Sequence, residues 1–302
     1  MDYVGDIIET CREFVGESDY SETNGIAQSV PLRAFNHAQN FIQGALYKQV
    51  PSLFDRRFDI PVVPGQDEYS FPENLIGKMN ILSLKYYPNS SSSDDHWNLV
   101  YVPPAALNGG SRDHAVSYTY SGGGFVLDPK PMSTTSLMRL WAARALDRVD
   151  LRRGLIKEVE TDGTSVTLLK LDVSTVDYEA DKLFARNKYL CVCDVDGNVV
   201  ASNVSYTWDA SAKELEVTIA GSAVTDGQYV TIGKNTRTHS ELDDVCSTFI
   251  DEYVQRALVA SRNGDSLPVH EDIMQREEVK ILAVYRRLLR DKKRIPYYGK
   301  FD

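Results

Sequence analysis

The sequence predicts an α+β fold, with a helical bundle built from both chain ends, a β-rich lobe and an inserted small β-barrel or sandwich domain. Apolar residues recur at helical spacing near both termini, and apolar and polar residues alternate in the region between them. From about residue 155, short alternating stretches follow one another closely, with turns and no helix between them. The predicted domains are 1–55 with 238–290 for the bundle, 56–150 for the lobe, 151–237 for the insertion and 291–302 for a C-terminal tail.

Size and composition are those of an ordinary folded protein. The chain has 302 residues, enough for two or three hydrophobic cores, with 42% hydrophobic and 25% charged residues. It lacks an apolar run near the roughly 20 residues that a membrane helix needs, so we expect no membrane anchor. The acidic N-terminus has no basic region of the secretory type, and we therefore expect folding in the cytoplasm.

Two amphipathic segments lie at each end of the chain. Residues 2–16 carry one apolar stripe that ends at Gly16, and a second stripe runs from Pro31 to Pro51. Near the other end, a stripe from Leu242 to Leu258 is the clearest in the chain, and the Ser240 hydroxyl is expected to cap it. A last helix is predicted from about residue 271 to 290. Each stripe is too short to stand alone, so the four are expected to pack as one bundle.

The stretch RFDIPVVPGQDEYSFPENL, residues 57–75, predicts a β-hairpin with one apolar face. Apolar residues alternate up to Val62, the Pro64-Gly65 pair has turn chemistry, and Tyr69 and Phe71 resume the alternation. A further strand is predicted from residue 81 to 87, and its alternation places Leu82, Leu84 and Tyr86 on one face. The glycines at 122–124 could suggest a phosphate loop. They lack the GK[ST] or GxGxxG spacing and precede another strand, so they predict a hairpin turn.

In the insertion, residues 151–237, the sequence pattern predicts six short strands separated by turns that contain glycine or aspartate. They are Leu155–Val159, Val166–Leu171, Tyr189–Val195, Val204–Trp208, Leu215–Ile219 and Tyr229–Ile232. Asp194, Asp196 and Asn198 resemble the start of a calcium loop. The glycine, however, comes at the fourth position, and Ser205 occupies the twelfth, so a hairpin turn is predicted instead. Cys191 and Cys193 share one strand face without metal-ligand partners, and we expect buried thiols.

No catalytic, metal or cofactor site is predicted. The five histidines lie far apart, no GxSxG or HExxH motif occurs, and no cysteine has the surroundings of a nucleophile. We therefore expect the protein not to be an enzyme and to need no cofactor. The net charge of −10 argues against gripping DNA over a broad surface, because such binding needs Lys and Arg against phosphates. It is compatible with a lumen through which DNA passes.

The C-terminus is the strongly basic part of the chain, and its cations are interleaved with aromatic residues. This combination suggests docking on another surface, of protein or nucleic acid. The residues that we expect to make the contact are Arg286, Arg287, Arg290, Lys292, Lys293, Arg294, Ile295, Tyr297, Tyr298 and Phe301.

Several of these stretches resemble the head-to-tail connector (adaptor) proteins of double-stranded DNA phages, related to the tubular tail protein A of short-tailed phages. The likeness rests on a turn, a "G…hhLxPxP" strand, an "lrlW" strand and the helix at 241–265, and it covers residues 1–145 and 240–302. The matching residues in the first three motifs are Gly65, Gln66, Asp67, Glu68, Tyr69 and Pro72, then Gly124, Leu127, Pro129 and Pro131, then Leu140, Trp141 and Arg144.

The resemblance implies a structural virion protein of the phage neck that is assembled in the host cytoplasm. It implies a homo-oligomeric, dodecameric ring that joins the portal protein to the next tail component, a nozzle or hub protein. Genomic DNA would pass through the lumen without sequence-specific binding during ejection. The C-terminal residues given above would reach into a groove of the portal ring.

Two alternatives remain open. The chain could be a tail or surface protein whose inserted β domain binds a host receptor or glycan through Trp208, Tyr206 and Tyr178. It could also be a hydrolase whose site is assembled from residues distant in sequence.

Overall fold

The computed structural model describes residues 2–17, 26–72, 74–76, 81–90, 95–173, 180–221, 223–263, 275–276 and 278–286. The chain divides into two compact units. One is Leu46–Leu146, and the other combines Met1–Ala45 with Asp147–Asp302. The finer domain boundaries expected from the sequence stay predictions.

The helices lie mainly near the two ends of the chain and the strands follow one another between them, as is typical of an α+β fold. The α-helices are α1 (Val4–Phe14), α2 (Ser29–Gln49), α3 (Ala180–Arg186) and α4 (Ser247–Asn263), and short 3₁₀ turns are Pro51–Leu53, Pro104–Ala106 and Asp244–Cys246. Residues 278–286 are also helical. The strands are β1 (Asp55–Pro61), β2 (Glu68–Ser70), β3 (Ile81–Tyr87), β4 (Trp97–Asn98), β5 (Val100–Tyr101), β6 (Ser111–Arg112), β7 (Ser117–Ser121), β8 (Gly124–Asp128), β9 (Lys130–Pro131), β10 (Leu137–Ala143), β11 (Arg148–Val149), β12 (Gly154–Thr161), β13 (Ser165–Asp172), β14 (Tyr189–Cys193), β15 (Val199–Asp209), β16 (Glu214–Ala220), β17 (Tyr229–Ile232) and β18 (Thr236–Arg237).

The unit Leu46–Leu146 is built from two four-stranded sheets that share one core. One sheet has the order β1-β10-β3-β4 and the other β2-β8-β7-β5, with β6 and β9 forming a small extra pair. Side chains from both sheets meet in the core, because alternate residues of each strand point to the same side. The core includes Tyr69, Tyr86, Phe125, Met138 and Leu140.

The predicted hairpin of residues 57–75 is wrong, because its two strands belong to different sheets. β1 pairs with β10, whereas β2 pairs with β8. The Tyr69 hydroxyl accepts a hydrogen bond from the Val63 backbone N–H at 3.0 Å and donates one to the Gln66 carbonyl at 3.2 Å. The chain therefore bends around this buried hydroxyl, and Gly65, with φ of +77°, supplies the turn.

The glycine turn is a hairpin as predicted. β7 and β8 pair antiparallel, with Ser121 opposite Gly124, so that Gly122 and Gly123 form a two-residue loop. Gly124 is also required by close packing. A Cβ there would lie 2.0 Å from the Tyr69 carbonyl oxygen of the neighbouring strand.

A β-bulge changes the orientation that the alternation predicts for β3. The register between β10 and β3 shifts between Trp141 and Ala142, so that Trp141 is opposite Ser83 and Ala142 is opposite Ile81. Leu84 and Tyr86 are buried as expected, but Leu82 is exposed. The prediction for Leu82 is wrong because a bulge interrupts the two-residue period.

The insertion contains a closed barrel, which decides between the barrel and sandwich alternatives. Its strand order is β12-β13-β16-β15-β14-β17, and β17 pairs back onto β12. These six strands lie at the six stretches where the sequence predicts strands. The expectation of no helix between these strands is wrong, because α3 lies between β13 and β14. Apolar side chains fill the barrel, and Phe184 of α3 packs with them.

Helices from both ends of the chain belong to the unit that contains the barrel. Contacts join α1 to α4 and α2 to α4, including a stacked pair of the Phe41 and Phe249 rings with centroids 5.6 Å apart. Whether the four terminal segments form a single bundle stays a prediction. Every helix among the described residues falls short of the length and apolar character that a bilayer crossing requires.

The cap of the penultimate helix differs from the predicted one. Asp243, rather than Ser240, caps the 3₁₀ turn that leads into α4, and its carboxylate accepts a hydrogen bond from the Val245 N–H at 3.2 Å. The Ser240 hydroxyl instead donates to the Gln39 side-chain oxygen at 2.7 Å. The Ser240 oxygen also accepts the Leu242 N–H at 3.2 Å, but the helical turn begins only at Asp244, so Ser240 lies ahead of the N-cap position.

Candidate functional site

Only the beginning of the predicted docking segment lies within the described residues. Arg286 is exposed at the end of the helical residues 278–286. The other predicted contact residues lie outside the described part of the chain, namely Arg287, Arg290, Lys292, Lys293, Arg294, Ile295, Tyr297, Tyr298 and Phe301. Within the described residues, the candidate site consists of Arg286 and the packing around the helix that carries it.

The helix that leads into this segment is anchored by apolar burial and by one buried polar contact. Ile281 and Leu282 are buried. The Tyr285 side chain lies beside Cys246 and Asp243, and burial raises the pKa of Tyr285. Burial also raises the pKa of Cys246 to about 11, so the thiol stays protonated at neutral pH. The predicted docking segment thus begins at a helix that is packed beside the start of α4.

The start of α4 is in turn held by α1 and α2. The Phe249 ring packs between Phe41 of α2 and Tyr253, with ring centroids 5.6 and 6.2 Å away. The Cys11 thiol of α1 lies 3.8 Å from the Asp251 carbonyl oxygen, which is hydrogen-bond distance for sulfur. Helices from both ends of the sequence therefore pack around the start of α4, beside the helix that leads into the predicted docking segment.

Buried side-chain amides of α2 hold the segment that enters the barrel. Asn36 exchanges two hydrogen bonds with the Val149 backbone, with its amide nitrogen 2.9 Å from the carbonyl and its oxygen 3.0 Å from the N–H. Gln39 donates to the Asp147 carbonyl at 2.8 Å. Satisfied buried amides of this kind fix a single arrangement, because losing a partner leaves a polar group desolvated.

A buried ion pair lies between that segment and the barrel. The Arg153 guanidinium binds the Asp150 carboxylate through two nitrogens, at 2.6 and 3.1 Å, and both side chains are almost fully buried. Asp150 also accepts a hydrogen bond from the Ile232 backbone N–H of β17 at 2.8 Å. The carboxylate is thus charge-paired and hydrogen-bonded, as a buried charge requires.

An arginine between two tyrosine rings joins α1 to the same region. The Arg152 guanidinium lies 4.2 Å from the ring centroid of Tyr3 and 4.2 Å from that of Tyr229. The Tyr3 hydroxyl accepts the Arg152 backbone N–H at 2.9 Å. Cation–π contacts of this geometry are stronger when partly desolvated, so Arg152 links the N-terminal helix to β17.

His239 packs against this arginine–tyrosine group. Its ring lies 6.0 Å from that of Tyr3, and a Cβ added at Gly197 would come within 2.1 Å of its Nδ1. Burial and then the positive charge of Arg152 lower the pKa of His239. The imidazole is therefore neutral at neutral pH, and its Nδ1 is 2.9 Å from the Thr238 hydroxyl.

The described cysteines and Asp194, which were considered as possible metal ligands, are buried or take part in a turn. All four cysteines are free and buried, and burial raises the pKa of Cys11 to about 12 and that of Cys193 to about 11. Asp194 accepts hydrogen bonds from the backbone and side chain of Asn198, at 2.8 and 2.9 Å, and so forms the predicted turn. The described residues contain no cluster of three His, Cys, Asp or Glu that could hold a metal.

The aromatic residues considered for glycan binding pack into the barrel where they are described. Tyr206 and Trp208 lie against its core, and the Trp208 ring stacks on Phe184 with centroids 4.8 Å apart. The Tyr206 hydroxyl donates to the Phe184 carbonyl at 2.9 Å. Tyr178 lies outside the described residues. Tyr206 and Trp208 thus fasten α3 to the barrel.

Sequence patterns did not identify the Asp150–Arg153 pair, the Arg152 contacts or the Leu82 exposure. Period and spacing report which residues share a face, and these features depend on contacts between residues far apart in the chain.

No protein-family model matches the sequence, and no curated protein shows significant similarity to it.

Proposed function

We propose that the protein is a structural virion component, a head-to-tail adaptor that assembles as a ring beneath a phage portal. It would join the portal to the next tail component and form part of the DNA channel. The proposal rests on the sequence motifs given above, which cover both terminal regions and the unit Leu46–Leu146. In this proposal the terminal helices form one bundle, which serves as the platform for the β-rich units.

The observation that carries the proposal is the anchored start of the C-terminal segment. Ile281, Leu282 and Tyr285 hold the last described helix, and the basic and aromatic residues follow it directly in the sequence. A docking segment benefits from such an arrangement, because a fixed starting point lowers the entropy lost on binding.

Charge is divided unevenly along the chain in the way this function requires. Residues 286–302 contain seven Lys or Arg and two Asp, which gives this segment a charge of +5. Because the whole chain has a net charge of −10, the remaining residues together carry a charge of −15. An acidic body repels the DNA backbone and avoids adhesion during passage. The basic end suits an acidic groove on a neighbouring protein, with Tyr297, Tyr298 and Phe301 as apolar anchors.

Repetition around a ring supplies the affinity that one short segment lacks. When one ring carries many identical segments, each further contact becomes intramolecular once the first has formed. The segment itself can therefore be weakly binding while the assembled joint is strong.

A truncation tests the proposal directly. A chain that ends at Arg286 is mixed with the portal protein of the same phage, and binding is measured by co-sedimentation. We expect the truncated chain to lose portal binding by at least about a hundredfold, since it lacks the docking residues. Its melting temperature should stay at the wild-type value.

A point variant separates the aromatic anchors from the charges. Tyr297→Ala with Tyr298→Ala keeps every cation, and we expect it to weaken binding by about tenfold or more. Tyr189→Ala is the matched control, because it removes an exposed tyrosine of the barrel.

Unchanged portal binding by the truncated chain would refute the proposed function.

A further inference from the structure

The outer side of the sheet β1-β10-β3 presents an exposed patch of cations and large apolar side chains. Cross-strand pairing places Arg57 opposite Trp141, and Asp59 opposite Arg139, which in turn is opposite Lys85. The residues between these in sequence, such as Phe58 and Leu140, face the core. We call Arg57, Leu82, Lys85, Arg139 and Trp141 the outer sheet face.

The bulge in β3 and β10 gives this face its apolar centre. Leu82 is 56% exposed and Trp141 is 38% exposed, on opposite strands at the bulge. Bulges commonly redirect a side chain at functional positions. Tryptophan and arginine are both enriched at the energetic centres of protein interfaces.

The cations of the outer sheet face are held in place before any partner arrives. Arg139 binds the Asp59 carboxylate through two nitrogens, at 2.9 and 3.4 Å, and lies 4.5 Å from the centroid of the Tyr87 ring. Arg57 lies 3.3 Å from the same carboxylate. Arg57 and Arg139 thus share one carboxylate, and Lys85, opposite Arg139, adds a third cation, so the patch is positive on a chain of net charge −10. Its partner should carry negative charge around an apolar centre.

The chain itself carries such a surface on the outside of its barrel. Lys170 is opposite Glu158 on one side and Glu214 on the other, and Leu168 is opposite Glu160 and Glu216 in the next row. Leu168 is half-buried, and Glu158, Glu160 and Glu216 are exposed. Lys170 lies 2.9 Å from Glu158 and 3.4 Å from Glu160, which leaves a carboxylate excess. We call these residues the acidic barrel face.

We propose that the outer sheet face of one copy binds the acidic barrel face of a second copy. Trp141 and Leu82 would cover Leu168, and Arg57 and Lys85 would pair with glutamates at the rim. Two different surfaces of the same chain are then joined, which makes the contact head-to-tail and lets it close into a ring. The inference deepens the proposed adaptor function, because it assigns the contacts between ring neighbours, and ring closure rests on that function.

Nucleic acid suits the outer sheet face less well than a second copy does. A phosphate backbone would have to approach Asp59, which lies between Arg57 and Arg139, and the whole chain would repel it. Opposite charges across a protein interface instead steer the encounter and fix its register.

Two double variants test the contact. The sheet variant carries Arg57→Glu and Trp141→Ala, and the barrel variant carries Glu214→Lys and Glu216→Lys. Self-association of the full chain is measured by sedimentation velocity up to about 100 μM, where contacts with micromolar Kd are populated. We expect wild-type chains to form higher oligomers, and each variant alone to be at least about tenfold weaker.

Mixing the two variants gives the decisive result. The sheet variant keeps its barrel face and the barrel variant keeps its sheet face, so the mixture should form dimers and nothing larger. Glu9→Lys with Glu13→Lys, on the exposed side of α1, is the matched control and should associate like wild type. Thermal melts check that every variant is folded.

Three outcomes overturn the proposal: a monomeric wild type throughout the range, variants that associate like wild type, or a mixture that does not dimerise. A fourth outcome, an association abolished by nucleases, would assign the outer sheet face to nucleic acid and would likewise overturn the proposal. Loss of the contact between copies can be told apart from loss of the adaptor function. The chain ending at Arg286 keeps both faces, so it should still self-associate even though it lacks the residues that bind the portal.

Discussion

At the scale of single residues, buried charged side chains stabilise the structure at positions where the sequence pattern does not indicate burial. Asp150 and Arg153 lie three positions apart and look like any surface pair in the sequence, yet both are almost fully buried. Arg152, which directly precedes Arg153, contacts Tyr3 and Tyr229 instead. Sequence reasoning does not distinguish these neighbours, because the burial of each is decided by β17 and by the N-terminal helix.

Removing the buried carboxylate charge should be costly. Asp150→Asn leaves the Arg153 guanidinium buried without its countercharge, and we expect the free energy of unfolding to fall by about 3 kcal/mol. Urea denaturation measures the change. Asp59→Asn is the control, since it alters an exposed pair with Arg139 and should cost about 1 kcal/mol or less. Equal losses for the two variants would contradict the assignment.

His239 makes the stability of its unit depend on pH. Its pKa is lowered from the ordinary value of 6.5 by burial and by the cations Arg152 and Arg237, which Asp196 only partly offsets. Just below pH 6.5 the unfolded chain therefore binds more protons than the folded one, and the free energy of unfolding falls on acidification. This contribution is complete above pH 6.5 and is lost as the pH falls towards the lowered pKa.

Replacing the imidazole tests that dependence. His239→Gln should reduce the loss of stability between about pH 7.5 and about pH 5, as measured by urea denaturation at both values. Arg152→Leu removes one of the cations that oppose protonation, so it should also give a smaller slope than wild type. A His239→Gln protein with the full wild-type slope would show that other groups are responsible.

At the scale of elements, the tyrosine at the crossover decides how the first strands are arranged. Tyr69 stacks on Phe125 with centroids 5.9 Å apart, and its hydroxyl holds the bend from Val63 to Gln66. Tyr69→Phe keeps the ring and removes these hydrogen bonds, so we expect a loss of about 1 kcal/mol in the free energy of unfolding.

Tyr101→Phe is the control for this variant. Tyr101 is half exposed on β5, and removing its hydroxyl should change stability by about 0.5 kcal/mol or less. If Tyr69→Phe is as stable as the control, the hydroxyl does not hold the crossover.

Most elements were predictable from the sequence, whereas their pairing was not. Alternation identified the six barrel strands and the hairpin at Gly122-Gly123, because both signals are local. The pairing of β1 with β10, some eighty residues away, leaves no local trace, and the turn at Gly65 looks like a hairpin turn. The bulge at Leu82 and the Ser240–Gln39 hydrogen bond likewise depend on partners distant in the chain.

Only the amino-acid composition of the candidate site could be predicted from the sequence. The sequence shows that cations and aromatic residues are concentrated after Tyr285, but not that Tyr285 is fixed beside Cys246. That contact joins two helices separated by a proline-containing stretch, so neither periodicity nor spacing indicates it.

At the scale of the whole molecule, the central claim is that many copies form a ring whose basic C-terminal segments dock into the portal. Electron cryo-microscopy of the full chain mixed with its portal protein tests this most directly. The account predicts a ring of copies beneath the portal, with Tyr297, Tyr298 and Phe301 seated in grooves of the portal subunits. A complex in which these residues pack against their own subunit, or a chain that stays monomeric beside the portal, would contradict it.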